Sequence, residues 1–208
     1  NGVSITGDIF NMYVFLEIAA IASYALVGYG GKAEELEASF KYAVMGTVSS
    51  TLILLGIALV YSQTSALNMA VIGRNINTSD SLSILALIFL FAGFGLKAAV
   101  VPFHAWLPDA HSSAPAPISA ILSGILIKTI GIYLIVRIGF NIFGVSQVFL
   151  NVLLIVGALS AIIGVLLAIG QMDIKRLLAY HSISQTGYIL LGIGLGTPLG
   201  IMGGLFHL

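Results

Sequence analysis

The sequence predicts an all-α fold, a polytopic membrane helix bundle, and three observations carry that reading. Of its 208 residues, 59% are hydrophobic and only 8% are charged, where a soluble domain carries about 25%. Mean hydropathy is +1.09. The apolar residues fall in runs of about 20, the length that crosses a hydrocarbon core of ~30 Å. A surface so poor in charge does not stay in water, so the solvent for most of this chain is lipid.

The runs lie at 8–29, 40–61, 82–108, 116–137, 148–170 and 176–196, about six complete transmembrane helices. A seventh starts near 199 and is still running at 208, where Gly203-Gly204-Leu205-Phe206-His207-Leu208 reads as the opening of an apolar helix. The chain starts at Asn1 with no signal peptide pattern, so residues 1–208 read as one transmembrane domain truncated at both ends. Connections are short and hold most of the charge. Lys32, Lys41, Lys175 and Arg176 fall on one side, Arg74 and Arg137 on the other, which puts the first side in the cytoplasm by the positive-inside rule. Tyr29, Tyr42, Tyr61, Trp106 and Tyr180 sit near span ends, as interfacial aromatics do. The loop around Gly73-Arg74-Asn75-Ile76-Asn77-Thr78 is the longest and most polar, and reads as an exposed connection.

Balanced charge argues against nucleic acid as a partner, and the absence of cysteine excludes thiolate-held iron–sulfur clusters, disulfides and a thiol nucleophile. No cofactor or metal motif is visible, so no cofactor and no catalytic centre are expected in this chain.

The informative residues are charges inside the spans. Glu17 is nine residues into the first span, ~14 Å along a helix; Lys97 lies ~22 Å into the third and Lys128 ~18 Å into the fourth. All three fall close to the midplane. A charge there costs about 2.5–3.5 kcal/mol on the lenient insertion scale and persists when it meets a partner or a water-filled cavity. An internal Glu–Lys–Lys row of this kind suits proton transfer, because a desolvated lysine near another cation releases and rebinds protons closer to neutral pH. Each residue also has a structural reading: Glu17 as a plain lock between helices, Lys97 as a cap on carbonyls freed at a helix break, Lys128 as half of a buried pair.

The third span places Gly93, Gly95 and Pro102 in mid-membrane. Proline has no N–H and collides with the preceding turn, and broken helices in membranes point to transporters. The helix is therefore expected to break near Pro102. His104 and His111 are seven apart, but no second pair accompanies them, so a proton-relay or loop-anchoring role suits His104 better than haem ligation. His181, with Ser182, Ser184 and Gln185, forms a polar group that fits either a water chain from the cytoplasmic face or an interhelical contact. Thr47, Ser49, Ser50 and Thr51 carry no site, since such hydroxyls usually bond back to their own helix.

Three stretches together resemble one family: Gly7-Asp8-Ile9-Phe10-Asn11-Met12-Tyr13-Val14-Phe15-Leu16-Glu17; Leu96-Lys97 through Pro102-Phe103-His104-Ala105-Trp106-Leu107-Pro108-Asp109-Ala110-His111; and Asp173-Ile174-Lys175-Arg176-Leu177-Leu178-Ala179-Tyr180-His181-Ser182-Ile183-Ser184-Gln185. They are similar to the proton-conducting antiporter family, which includes antiporter-like subunits of respiratory complex I, Mrp Na⁺/H⁺ antiporter subunits and subunits of membrane-bound hydrogenases. The resemblance implies a ~14-helix inverted-repeat fold, of which this chain supplies the fifth to tenth helices and the start of the eleventh. It implies that Glu17 and Lys97 form a switching charge pair and that Lys128 passes protons laterally. The histidine at His181 is similar to antiporter and hydrogenase members. The expected function is proton translocation, with H⁺/Na⁺ antiport left open, in a multisubunit respiratory, hydrogenase or Mrp-type complex of a prokaryotic plasma membrane. Expected partners are other membrane subunits, lipid, H⁺ and, if antiport occurs, Na⁺. The alternative is a non-transporting scaffold that docks redox subunits. Quinone reduction within the chain is a weak third, lacking cysteine and any cofactor motif.

Overall fold

The computed structural model describes residues 1–208, with side chains for 1–126 and 130–208. Among these residues the chain is helical, apart from turns and a single bridge between Asp8 and Asn68. One turn, α1 (Gly2–Ile5), precedes α2 (Ile9–Val27). The Asp8 carboxylate caps α2 by accepting from the Asn11 amide at 2.8 Å, satisfying one of the donors that a helix start leaves free. At Gly31 the backbone takes φ +70°, a left-handed turn suited to glycine, and the chain reverses into α3 (Ala33–Thr64). This 32-residue helix is ~48 Å long, more than a ~30 Å core requires. Its surplus is a polar start, where Glu34 and Glu35 meet the positive end of the helix dipole.

The loop expected to be only an exposed connection contains a helix, α4 (Met69–Asn75). Asn68 caps it through the Ala70 and Val71 amides, and Met69 and Ile72, one turn apart, are buried. Gly73 lies against the Asn141 carbonyl, where a Cβ has no room. That end of the molecule is closed by packing. At the same end Arg137 donates to the Val3, Ser4 and Thr6 carbonyls.

The third span is two helices, α5 (Ser81–Lys97) and α6 (Trp106–Ser113), joined by non-helical residues 98–105. The break starts earlier than Pro102. Helix α5 stops at Lys97 because Ala99 takes φ +51°, a left-handed conformation rare outside glycine. Pro102 stands inside the break, behind a cis Val101–Pro102 bond. Next come α7 (Ala116–Ile121) and α8 (Tyr133–Ile138), which join with π-helical stretches at Leu122–Ile132 and Gly139–Phe143 into one apolar rod, Ala116–Phe143. Helices α9 (Gln147–Ile169), α10 (Ile174–Gly194) and α11 (Pro198–His207) follow, capped by Ser146, Asp173 and Thr197.

Lipid offers no hydrophobic drive between helices, so small residues and close backbones hold them together. Gly157 and Gly164 on α9 lie against the α10 backbone, and Gly187 and Gly194 on α10 lie against that of α9, each pair seven residues apart; a Cβ on Gly164 would lie 2.6 Å from the Ser184 amide nitrogen. Gly56 and Gly93 do the same between α3 and α5. The broken segment runs between two buried clusters. Ala98 and Val100 belong to the one built on Ile53, Leu90 and Phe94, and Ala99 and Val101 to the one built on Val27, Tyr42 and Trp106.

Candidate functional site

Glu17 and Lys97, eighty residues apart in sequence, form an ion pair. The Lys97 ammonium donates to Glu17 Oε1 at 3.3 Å, with side chains 7% and 24% exposed respectively. Lys97 also donates to Ser50 Oγ at 3.1 Å. The Ser50 hydroxyl donates to the same Glu17 oxygen, with the Gly46 carbonyl 2.9 Å away as its other acceptor. Two unit charges at such a separation attract by on the order of 4 kcal/mol at an effective dielectric near 20. Removing them from water opposes that gain.

The site needs the break, and the break needs partners. In lipid every freed backbone group must find one. Ser160 on α9, fully buried, accepts from the Val101 amide at 3.0 Å. Ser49 donates to the Gly93 carbonyl at 2.7 Å. The Trp106 indole donates to the Leu96 carbonyl at 3.0 Å, next to Lys97. Gly131 backs onto Ala98 so closely that a Cβ would lie 2.5 Å from the Ala98 Cα. The non-helical segment is thereby held at Ala98 and Val101, and the end of α5 at Gly93 and Leu96, with Lys97 between them.

Of the other residues singled out in the sequence, His104 stands half-buried in the break with Nδ1 unpaired, and makes no hydrogen bond to Glu17 or Lys97. Lys128 lies outside the described residues. His181 is exposed and accepts from the Gln185 amide nitrogen at 3.1 Å, while Gln185 Oε1 accepts from His207 Nε2 at 2.6 Å. Ser182 pairs with Ser123 at 2.9 Å, and Ser184 turns to the Ala161 carbonyl. The polar group at His181 is thus divided between helix contacts and an outward string that His207 extends. Among the described residues, no three His, Cys, Asp or Glu side chains converge as metal ligands do.

Sequence reasoning set aside Ser50, weighed His111 only as half of a pair with His104, and did not single out Tyr24. Lys97 reaches the Tyr24 hydroxyl, and Tyr24 lies seven residues after Glu17, on the same face of α2. His111 is buried, with Nδ1 2.6 Å from Ser119 Oγ and Nε2 unpaired. Its end of α6 is at the surface, because Asp109 binds Lys41 at 3.2 Å and Arg176 at 3.3 Å, with Lys41 also on Glu37 at 2.8 Å. These charges clip the ends of α3, α6 and α10 around a cleft of about 220 Å³.

Burial pushes the His111 imidazole down to about 4, and His111 lies beyond the 82–108 span, at the end of α6 where Asp109 meets Lys41 and Arg176. The fold therefore binds fewer protons than the unfolded chain between about pH 6.5 and 4. Stability present above pH 6.5 is lost as pH falls through that window, by on the order of 3 kcal/mol. The thermal midpoint in detergent should drop between pH 7 and 5, and drop less in His111→Gln. An equal drop in both would remove His111 as the cause.

The family model described as NADH:quinone oxidoreductase/Mrp antiporter, TM, matches residues 6–208. NADH-quinone oxidoreductase subunit N of Desulforudis audaxviator is 38% identical over 99% of this chain and 42% of its own length. An Na⁺/H⁺ antiporter subunit of Alkalihalophilus pseudofirmus is 40% identical over 100% of this chain and 43% of its own. A chain of the Mrp complex from Dietzia sp. DQ12-45-1b superposes with a TM-score of 0.92 at 36% identity, covering 100% of this chain and 39% of that one. The chain spans about two-fifths of the length of the curated relatives it matches.

Proposed function

The chain belongs to the NADH:quinone oxidoreductase/Mrp antiporter family of transmembrane proteins, and from that premise we propose that it moves protons across the membrane as one subunit of a multisubunit complex. It is an integral, multi-pass membrane protein. The observation that carries the proposal is the Glu17–Ser50–Lys97 cluster at the start of the break, where α5 ends. Its charges lie on α2 and α5, two separate helices, at a depth where an unpaired charge is costly.

The chemistry follows from the contacts. While Glu17 is ionised it holds Lys97 as an ammonium. A proton arriving on Glu17 cancels that attraction, and the buried ammonium, now without a counter-charge, is driven to release its own proton. Ser50 touches both groups, so its hydroxyl can hand the hydrogen bond from one to the other. Lys128 is assigned the lateral step, His104 a relay beside the break, and His181 with Gln185 and His207 a second polar string. Residues 1–208 are assigned to a single transmembrane domain of a longer fold. The other membrane subunits of the complex are its partners.

The test is flux in sealed vesicles carrying the full-length parent complex, wild type against Lys97→Ala, with assembly measured alongside. Loss of proton flux from an assembled variant supports the proposal, and a sodium trace on the same vesicles shows whether Na⁺ moves in exchange. Undiminished flux makes the charges structural and favours the scaffold reading.

A further inference from the structure

We propose that Tyr24 is the partner of Lys97 in its proton-released state, its phenol donating to the neutral amine, and that Gly46 is glycine in order to seat that phenol. The proposal rests on the reading of Lys97 as a proton carrier.

Three oxygens surround the Lys97 nitrogen: Ser50 Oγ at 3.1 Å, Glu17 Oε1 at 3.3 Å and the Tyr24 hydroxyl at 3.5 Å. A charged lysine has three donors and no acceptor, so against the ammonium the phenol can only accept. Its own proton then has nowhere to go: among the described residues this hydroxyl makes no other hydrogen bond. When Lys97 loses a proton, its nitrogen gains a lone pair, and the phenol proton gains an acceptor. Release thus exchanges the ammonium-to-phenol bond for a phenol-to-amine bond, and the relief of the phenol donor that the charged state strands is what favours it.

The phenol is held for this purpose. A Cβ on Gly46 would overlap the Tyr24 hydroxyl and lie 2.5 Å from its Cζ, so any other residue at 46 pushes the hydroxyl aside. The Tyr24 ring meets Tyr42 edge-on at 4.6 Å, and Tyr42 is anchored by Ser23 at 3.1 Å. Tyr42 in turn stacks flat on Trp106 at 4.4 Å. Trp106 closes the circuit by donating to the Leu96 carbonyl, one residue before Lys97. Phenol and amine are therefore referenced to one another through both halves of the broken helix.

Other titratable groups face the site from neighbouring elements. On α2 they are Glu17 and Tyr13, and on α3 Tyr42; His104 stands in the break. Arg137 on α8 is committed to the Val3, Ser4 and Thr6 carbonyls, and Lys128 lies outside the described residues. Only Glu17, Ser50 and Tyr24 hydrogen-bond to Lys97 among the described residues.

The experiment is proton flux against pH in vesicles of the full-length complex, for wild type, Tyr24→Phe, Gly46→Ala and Lys97→Ala. Tyr24→Phe keeps the ring and its stack and removes only the donor. It should lower flux about tenfold near neutral pH, with the rising limb moved about one unit to higher pH so that flux recovers there. An assembled Gly46→Ala should move the limb the same way. A Tyr24→Phe profile that is unchanged, or lowered equally at every pH, overturns the proposal while leaving Lys97 as carrier. An assembled Gly46→Ala with an unmoved limb overturns the seating role. Flux that survives Lys97→Ala overturns the carrier reading and this proposal with it.

Discussion

Glu17→Ala should lower stability by up to about 3–5 kcal/mol, the usual loss when one partner of a buried ion pair is removed, and stop proton flux. The double variant Glu17→Ala/Lys97→Ala should regain much of that stability and none of the flux. The asymmetry comes from burial. Lys97 is 7% exposed, so without Glu17 its ammonium keeps, among the described residues, only the Ser50 and Tyr24 oxygens as partners. Releasing its proton is the other escape, and it caps the loss. Removing both partners takes away the stranded charge and leaves a cavity, a milder defect. Thermal unfolding of wild type, both single variants and the double variant in detergent closes a double-mutant cycle. A coupling energy near zero would mean the two groups do not hold one another, and the charge-switch mechanism would fall.

Depth alone made Glu17 and Lys97 legible in the sequence, since ionisable residues near the midplane are rare and stand out against an apolar background. Their pairing partner did not stand out. Ser50 sits among Thr47, Ser49 and Thr51, and Thr47 and Thr51 do bond back to their own helix, at 2.8 and 2.9 Å. Ser50 also reaches its own helix, at Gly46, so only the second contact, to Glu17, separates it from its neighbours. Which face of α3 meets α2 is a tertiary fact. Tyr24 carried a weak signal, because a seven-residue step from Glu17 returns to the same helical face.

Pro102 marked the break in the sequence but not where α5 ends. That is set by Ala99 in a left-handed conformation, an arrangement no propensity assigns to alanine. It persists because Gly131 lets Ala98 approach closely and Ser160 receives the Val101 amide. The short α4 was missed for a different reason. Its Asn68 cap and the Met69/Ile72 spacing were present, but seven residues among polar neighbours read as loop. His181, expected in a water chain from the cytoplasmic face or in an interhelical contact, bonds Gln185, and its chain through Gln185 to His207 depends on how α10 and α11 lie together.

Ser160→Val should destabilise the protein by about 1–3 kcal/mol and lower flux. The hydroxyl is the hydrogen-bond acceptor for the Val101 amide, and both groups are buried. Removing it strands an N–H where no water reaches, and the full desolvation penalty appears. Ser160→Thr keeps the oxygen and should hold most of both stability and flux, so the pair of variants separates the hydrogen bond from the volume of the side chain. The coupling to function runs through the three residues of backbone between Lys97 and Val101. If the amide finds no replacement, residues 98–101 shift toward another acceptor, and Lys97 moves relative to Glu17 and Ser50. Stability lost with flux intact would show that the break tolerates a loose anchor and that the ion pair is held from the α5 side alone. Loss of both, reversed by threonine, would make Ser160 the α9 residue that fixes where the proton carrier stands.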